Sequence, residues 1–223
     1  MGEKVIRVTG KGELKVRPDW TRITMTLEGL KREYAKALQA SSEDTEVLKD
    51  LLEKEGFSRG DIKTLSFDVQ IENDYYKDKD GNRRLRFAGY QYRHTMKIEF
   101  PSDQDRLGRI LYLLANNAAV RPEFRFSFFV GDVEASKNEV LGKAVADAKK
   151  KAEVLANAAG CRLKGILSID YSWGEIELEV SPYNRSISMK ASMAESEDVS
   201  YAMDIEPDDI EMSGTVTIVW SIE

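Results

Sequence analysis

The apolar residues between positions 20 and 130 change their spacing in an order that strongly limits the possible fold. Their period is two residues in four stretches, as in strands with one buried face, and 3.6 residues in two others, as in amphipathic helices. The resulting order of elements is β-α-β-β-α-β, which is typical of a ferredoxin-like split βαβ motif. The predicted fold class is therefore α+β, with a mixed, mostly antiparallel sheet.

Long elements are predicted on both sides of this ferredoxin-like core, which is thus extended by N-terminal and C-terminal strands. In the first strand, Gly10 and Gly12 share the buried parity, and glycines on a buried face indicate a bulge or a close approach by another element. The core is followed by an alanine-rich helix, which Gly160 ends, and by a last alternating strand over residues 212–222. The sequence predicts three helices in a single domain of residues 1–223, with a two-lobed form left open.

Short-range signals predict where several elements begin and end. Asp80 and Gly81 predict the turn of a hairpin, Gly56 predicts the end of the first helix, and Ser102 predicts the N-terminal cap of the second. The pair Gly131-Asp132 precedes the third and longest helix. The apolar face of the first helix is predicted to consist of Tyr34, Leu38, Ser41, Thr45, Leu48 and Leu52.

The balance of charge excludes some classes of partner. The chain has 33 Lys and Arg residues against 39 Asp and Glu residues, a net charge of −6, and residues 191–223 contain nine acidic residues and no basic one. An acidic surface repels phosphate backbones, so no nucleic-acid partner is predicted. No apolar run approaches the roughly 20 residues that a membrane-spanning helix needs, so no transmembrane segment is predicted. The N-terminus has no apolar signal region, which favours a cytoplasmic, soluble protein, with a periplasmic one as the alternative.

The residues that usually carry chemistry are scarce. Cys161 is the only cysteine and His94 the only histidine, so a disulfide, a cysteine-rich zinc site and a two-histidine metal site within one chain are all excluded. The sequence contains no P-loop, dinucleotide fingerprint or nucleophile elbow. We therefore predict a protein that is not an enzyme, with no catalytic, cofactor-binding or metal-binding residues and no cofactor. The alternative is an enzyme or small-ligand-binding protein that uses a cleft near His94 and Tyr90.

Aromatic and methionine residues in the last third of the chain suggest an interface. The stretch over residues 182–209 is rich in Ser, Met and acidic residues and is interpreted as a long excursion or flap. Apolar side chains in such segments are often buried against a second subunit, although packing on the chain's own sheet is an equal alternative. We therefore predict a homo-oligomer. The possible interface residues are Trp173, Tyr183, Met189 and Met193.

Three segments carry a resemblance to a known family. They are RVTGKGELKVRPD at residues 7–19, EASKNEVLGKAVADAKKKAEVLANAAG at residues 134–160, followed by a strand that starts CRLKGILSID, and EPDDIEMSGTVTIVWSIE at residues 206–223. In order and separation they resemble the SIMPL-domain family, whose bacterial members include periplasmic immunogenic proteins. The resemblance lies in scaffold residues and covers nearly the whole chain.

What this resemblance implies about function is limited. The family has no established enzymatic activity, and some of its exported members assemble into large ring-like or channel-like oligomers. The resemblance therefore favours a non-enzymatic scaffold of unknown biochemical function that assembles with itself or binds an unknown protein partner. An envelope-associated oligomeric assembly is the other alternative that it implies.

Overall fold

The computed structural model of the chain describes residues 4–176, 179–180 and 205–223. Three of the four predicted interface residues, Tyr183, Met189 and Met193, lie outside the described residues. The elements are β1 (Val5–Val16), β2 (Trp20–Lys31), α1 (Tyr34–Lys54), β3 (Lys63–Lys77), β4 (Arg83–Pro101), α2 (Gln104–Ala115), β5 (Glu123–Phe129), α3 (Val133–Ala158), β6 (Leu163–Ile176), β7 (Glu179–Val180) and β8 (Ile210–Ile222).

These elements form two sheets, and the chain divides into two compact units. One sheet has the strand order β1-β8-β6 and the other has the order β3-β4-β2-β5-β7. The pairings of β1 and β6 with β8, of β2 and β3 with β4, and of β5 with β7 are antiparallel. Unit 1 contains the described parts of Met1–Asp19, Phe128–Val180 and Pro207–Glu223, and unit 2 those of Trp20–Ser127 and Ser181–Glu206. The predicted α+β class, with three helices in the described residues, is confirmed.

Unit 2 contains the ferredoxin-like core. The chain order from β2 to β5 is β-α-β-β-α-β, and the first and third strands of this set, β2 and β4, lie at the centre of the sheet. Alternation places the apolar residues of both central strands on one face, and α1 packs there. The buried residues on this face and on the two helices include Ile23, Met25, Leu27, Leu48, Leu52, Met96, Ile98, Phe100, Leu107 and Ile110.

Two local predictions for unit 2 were wrong. The side chains of Tyr34 and Leu38 are exposed, and Ala37 takes the buried place in the first turns of α1. The reason is that the buried row of α1 is set by its contact with β2 and β4, and Tyr34 lies one row away, edge-on to Tyr90 at 5.5 Å. At α2, the predicted N-cap was Ser102, but the N-cap is Asp103. The Asp103 carboxylate accepts a hydrogen bond from the backbone N–H of Arg106 at 2.9 Å.

The other predicted ends are confirmed by the backbone and the caps. Gly56, Gly81 and Gly160 all have positive φ angles, of 82°, 81° and 69°. A positive φ angle is common where a helix ends or a tight turn closes, and glycine adopts it at low cost because it has no Cβ atom. Asp132 caps α3 by accepting a hydrogen bond from the N–H of Ala135 at 2.8 Å.

In unit 1 the long terminal strands do not lengthen the ferredoxin-like sheet but form a sheet of their own with β6. β8 lies in the middle of this sheet, so its alternating apolar residues are buried. Its core joins Val8 of β1, the alanines of α3 and the inward residues of β8. The members of this cluster are Val8, Ala144, Ala148, Ala152, Val216, Ile218 and Trp220.

The predicted close approach at the glycines of β1 is confirmed, and α3 is the element that approaches. A Cβ atom built on Gly10 would lie 2.8 Å from the Cα of Ala148, and one built on Gly12 would lie 2.9 Å from the backbone N of Ala144. Carbon atoms in contact are normally about 3.5–4.0 Å apart, so neither position has room for a side chain. The helix backbone therefore rests directly on the strand backbone.

Candidate interaction surfaces

The inward face of β6 is apolar but is not covered by α3. Ile169 pairs with Ile218 of β8 and Tyr171 pairs with Val216, so these side chains point to the side on which α3 packs. The helix covers β1 and β8 but barely reaches β6. As a result Val216 and Ile218 are buried, whereas Ile169 is 52% exposed and Tyr171 is 63% exposed.

Trp173 completes this apolar surface, which we call the β6 strip (Ile169, Tyr171 and Trp173). It pairs with Gly214 of β8, lies edge-on to Tyr171 with a centroid distance of 6.1 Å, and is 37% exposed. The ammonium group of Lys137 on α3 lies 5.9 Å from its ring centroid. The strip belongs to the outermost strand of its sheet. Among the described strands, the one that carries Trp173, predicted from the sequence as a possible interface residue, therefore lies at the edge of its sheet.

His94 lies on β4, where threonine hydroxyls from two other elements contact both of its ring nitrogens. Nδ1 is 3.0 Å from Oγ1 of Thr45 on α1, and Nε2 is 2.9 Å from Oγ1 of Thr64 on β3. The Thr45 hydroxyl already donates its hydrogen to the carbonyl of Ser41 at 2.7 Å, so it accepts from Nδ1–H. Nε2 of the neutral ring then accepts from Thr64. Burial, with a smaller contribution from the Lys49 ammonium, lowers the pKa of His94.

Tyr90, which the sequence suggested beside His94, and its neighbour Tyr92 are each engaged elsewhere. Tyr90 contacts two aromatic rings edge-on, Tyr34 at 5.5 Å and Phe87 at 5.4 Å. Tyr92, between Tyr90 and His94 on the same face of β4, is buried and donates its hydroxyl hydrogen to the Asp44 carboxylate. Burial, and then the bond to Asp44, raise the pKa of Tyr92 above its usual value. The structure does not bring His94 and Tyr90 together as one reactive group.

The described part of the chain contains neither a metal-binding cluster nor a membrane-spanning helix. There, no group of three or more His, Cys, Asp and Glu side chains is arranged to hold a metal ion. No helix in the same residues is long and apolar enough to cross a bilayer. Cys161 is partly buried, and its thiol lies 3.5 Å from the carbonyl oxygen of Ala156.

A surface that was not predicted from the sequence is the outer part of the β3–β4 hairpin, residues 73–87, which we call the arm. β2 pairs with β4 only from Tyr90 onward, so the arm consists of two strands that pair with each other. Tyr75 is opposite Leu85 and Asn73 is opposite Phe87, which places three large apolar side chains on one face. Their exposed fractions are 63% for Tyr75, 61% for Leu85 and 41% for Phe87.

Comparison with known proteins shows the family. The profile of SIMPL, described as a protein of unknown function (DUF541), matches residues 6–220 of the chain. The chain belongs to the SIMPL family. The resemblance inferred from the three sequence segments is thereby confirmed.

Two similar relatives of this SIMPL protein have curated names. They are the 26 kDa periplasmic immunogenic proteins of Brucella abortus (strain S19) and Brucella melitensis biotype 1, which are 26% and 25% identical over 164 residues, or 74% of this chain. The matched region spans 65% of the length of each relative. Among solved structures, the regulatory subunit of aspartate kinase from Thermus flavus aligns with 97% of this chain and 90% of its own length. The TM-score of 0.18 and the identity of 9% are too low to indicate a shared fold.

The segments that carry the SIMPL resemblance meet in space. Residues 7–19 contain most of β1, residues 134–160 contain nearly all of α3, and residues 206–223 contain β8. These are the three elements that pack together in unit 1, with the glycines of β1 against the alanines of α3. The family signature in this chain is therefore the packing of one helix on two strands, and its residues are explained by close contact.

Proposed function

We propose that this SIMPL protein is a non-enzymatic scaffold that assembles with itself, and that a second copy docks on the β6 strip. The observation that supports this proposal is the exposed apolar side of an outermost strand. An uncovered edge strand offers free backbone groups to another strand, and its apolar side chains gain free energy when a partner removes them from water. Both properties coincide on β6, at Tyr171 and Trp173.

The most economical arrangement is an antiparallel pairing of β6 with β6 of a second copy. Such a contact is two-fold symmetric, uses the same patch twice, and joins two three-stranded sheets into one of six strands. Each side chain of the strip exposes roughly 100 Å², about half of what a large side chain can bury, so two strips contribute about 600 Å². A standard interface buries roughly 1,600 Å², so backbone pairing and neighbouring residues have to supply the remainder.

Sedimentation velocity of paired variants tests this proposal. Tyr171→Ser and Trp173→Ser remove apolar area from the strip, whereas Val154→Ser removes a side chain that is 62% exposed on α3, in the same unit. The wild type is expected to sediment as an oligomer at micromolar concentrations, the two strip variants to shift towards the monomer, and Val154→Ser to match the wild type. A monomeric wild type, or an equal effect of all three substitutions, would refute the docking site.

The interface residues predicted outside the described part of the chain give a second test of self-assembly. We expect Met189→Asp combined with Met193→Asp to lower the oligomeric state, because a charged group in an apolar interface carries a desolvation cost. If this double variant and the strip variants each leave the oligomer unchanged, neither set of residues forms the interface and the proposed docking site is wrong. Melting temperatures of all variants show whether any of them has lost its fold.

The place of action is a separate proposal. The prediction of a cytoplasmic protein finds no support in the two relatives, whose names describe periplasmic proteins. We therefore propose that this chain acts in the periplasm, as an envelope-associated assembly. Fractionation of the native producer, with an antibody to this chain and with a cytoplasmic and a periplasmic marker protein, tests this. Recovery with the cytoplasmic marker alone would refute it.

A further inference from the structure

The arm is locally basic although the protein is acidic. Residues 73–87 contain five Lys and Arg residues and three Asp residues, a local net charge of +2. The whole chain has 33 basic and 39 acidic residues, so the rest of it has 28 against 36, a net charge of −8. The basic residues of the arm therefore differ from the average surface of the chain, and no other described strand pairs with the arm.

Charge is distributed unevenly between the two faces of the arm. On one face, Arg84 forms an ion pair with Asp78 at 3.0 Å and Arg86 forms one with Asp74 at 3.6 Å, so the cations there are neutralised. The opposite face carries the three exposed apolar side chains and, nearest the turn, the directly paired residues Lys77 and Arg83. This face is apolar along its length and cationic at its end.

The cations of the apolar face have no acidic partner among the residues that the structure describes. Within the described part of the chain neither Lys77 nor Arg83 takes part in an ion pair. The guanidinium of Arg83 instead lies 4.6 Å from the ring centroid of Tyr75. A long cationic side chain laid over an exposed tyrosine keeps its charged end in water while its stem covers apolar surface. The face therefore combines unsatisfied positive charge with apolar area.

The charge of this face selects among occupants. Two arms that met face to face would bring Lys77 and Arg83 of both copies together, which is repulsive. The β6 strip is also a poor match, because it is bordered by the ammonium group of Lys137. A nucleic acid offers the right charge but no apolar phase for Leu85 and Phe87. An anionic lipid surface offers both, because Tyr and Phe favour the membrane interface and Lys and Arg contact the headgroups.

We propose that the arm is a binding site for anionic phospholipid surfaces. The side chains of Tyr75, Leu85 and Phe87 enter the boundary between headgroups and acyl chains, and Lys77 and Arg83 contact the phosphate groups. Attachment of this kind is peripheral and reversible, since an interfacial element of this size reaches only about 5–10 Å into the bilayer. This site lies in unit 2, on residues other than the β6 strip, and it does not depend on self-assembly.

Cosedimentation of the full chain with vesicles tests the site. One set of vesicles contains phosphatidylcholine alone, and the other contains phosphatidylcholine and phosphatidylglycerol at about three to one, so that the surface is anionic. We expect the chain to bind only the anionic vesicles and binding to weaken as salt is added. Arg83→Gln is expected to weaken binding about fivefold, the effect of one basic residue near an anionic surface.

Two neighbouring tyrosines provide a matched control for the orientation of the arm. Tyr75 lies on the apolar face and is 63% exposed, whereas Tyr76 is opposite Arg84 on the ion-paired face and is 46% exposed. Tyr75→Ser is expected to lower vesicle binding several-fold and Tyr76→Ser to leave it unchanged. Both side chains are exposed, so melting temperatures should stay close to that of the wild type.

Several outcomes would overturn the site. A folded wild type that binds neither set of vesicles refutes it, as does an equal loss for Tyr75→Ser and Tyr76→Ser. If Arg83→Gln weakens binding but Leu85→Ser does not, and single-stranded RNA displaces the chain from vesicles, the arm binds polyanions in general and the lipid assignment is wrong. Repeating the assay with Tyr171→Ser separates lipid binding from assembly, because the arm is intact in that variant.

Discussion

Replacing Gly10 with alanine tests the direct contact between the backbones of α3 and β1. The added Cβ would lie 2.8 Å from the Cα of Ala148 and still closer to the carbonyl oxygen of Ala144. Because carbon atoms in contact are about 3.5–4.0 Å apart, α3 would have to move away by roughly 1 Å. This movement opens a gap between the sheet and the alanines of α3 that touch it in the wild type. The dispersion contacts of these alanines therefore weaken.

The size of the effect follows from overpacking. An extra carbon in a close-packed core usually costs about 1–3 kcal/mol. At Gly10 the obstacle is backbone, which cannot change rotamer, so we expect about 3 kcal/mol, at the upper end of this range. For a chain of this length, each kcal/mol lowers the melting temperature by about 2–4 °C, so the expected decrease is about 6–12 °C.

Urea unfolding followed by tryptophan fluorescence measures this change. Trp173 and Trp220 both belong to unit 1, so the signal reports mainly on the unit that contains the contact. The matched control is Gly142→Ala on α3, where an added Cβ meets no atom within 4 Å. Alanine favours a helix interior over glycine, so the control is expected to gain about 0.5–1 kcal/mol. If Gly10→Ala is as stable as the wild type, the backbone contact is not tight and our explanation of the signature is wrong.

Three further predictions concern unit 2. Gly56→Ala is expected to cost about 1 kcal/mol, measured by thermal melting, because the φ angle of 82° at the end of α1 is unfavourable for a residue with a Cβ; an unchanged melting temperature would contradict this. Tyr92→Phe is expected to cost about 1–3 kcal/mol in urea unfolding, because it leaves the Asp44 carboxylate without its donor, and a more stable variant would show that the bond contributes nothing. The pKa of His94 is lowered in the folded protein, so the unfolded chain binds more protons below the usual histidine pKa, and stability is lost as the pH falls from that value towards the lower folded one. The melting temperature should therefore fall less with decreasing pH for His94→Gln than for the wild type. An equal dependence of the two melting temperatures on pH would refute the assignment.

Features of the fold that depend on local sequence were predictable. Gly10 and Gly12 on a buried parity, together with a helix whose stripe is alanine, pointed to close packing, and the structure shows that contact. Gly56 and Asp132 marked the helix ends because a positive φ angle and an accepting carboxylate are properties of single residues. The prediction of Ser102 as the cap of α2 failed because Ser102 and Asp103 are both residue types that cap helices well. The Ser102 hydroxyl instead contacts the Thr21 hydroxyl at 3.0 Å.

Whether an apolar face is covered was not predictable from its period. Phe67 and Ile71 of β3 alternate in the same way as Ile23 and Met25 of β2. The first pair is 46% and 60% exposed while the second is fully buried, because β3 is the outermost strand and β2 is central. Sheet order is set by the whole chain, so a pattern of period two indicates a face but not the helix that covers it.

The same limit applies to the candidate surfaces. Trp173 was singled out from its aromatic character and its position near a long excursion, and the structure adds that β6 lies at a sheet edge beyond the reach of α3. The arm was predicted as a hairpin from Asp80 and Gly81, but its amphipathic character depends on the register that puts Tyr75 opposite Leu85. That register includes a bulge near Glu72 and Asn73, which no sequence pattern indicated.

The alanine stripe of α3 has a further consequence for the position of the helix along the sheet. Ala144, Ala148 and Ala152 repeat every four residues, so a slide of about one turn would put one alanine where another had been. Val140 removes this ambiguity, because its side chain fills the space over Gly214, where a built Cβ would lie 3.1 Å from the valine methyl group. A slide in one direction would put Ala144 in the place of Val140 and leave part of that space empty, and a slide in the other direction would put the larger Val140 in the place of Ala144. One branched side chain thus helps to fix the alignment of a helix whose alanine contacts are interchangeable.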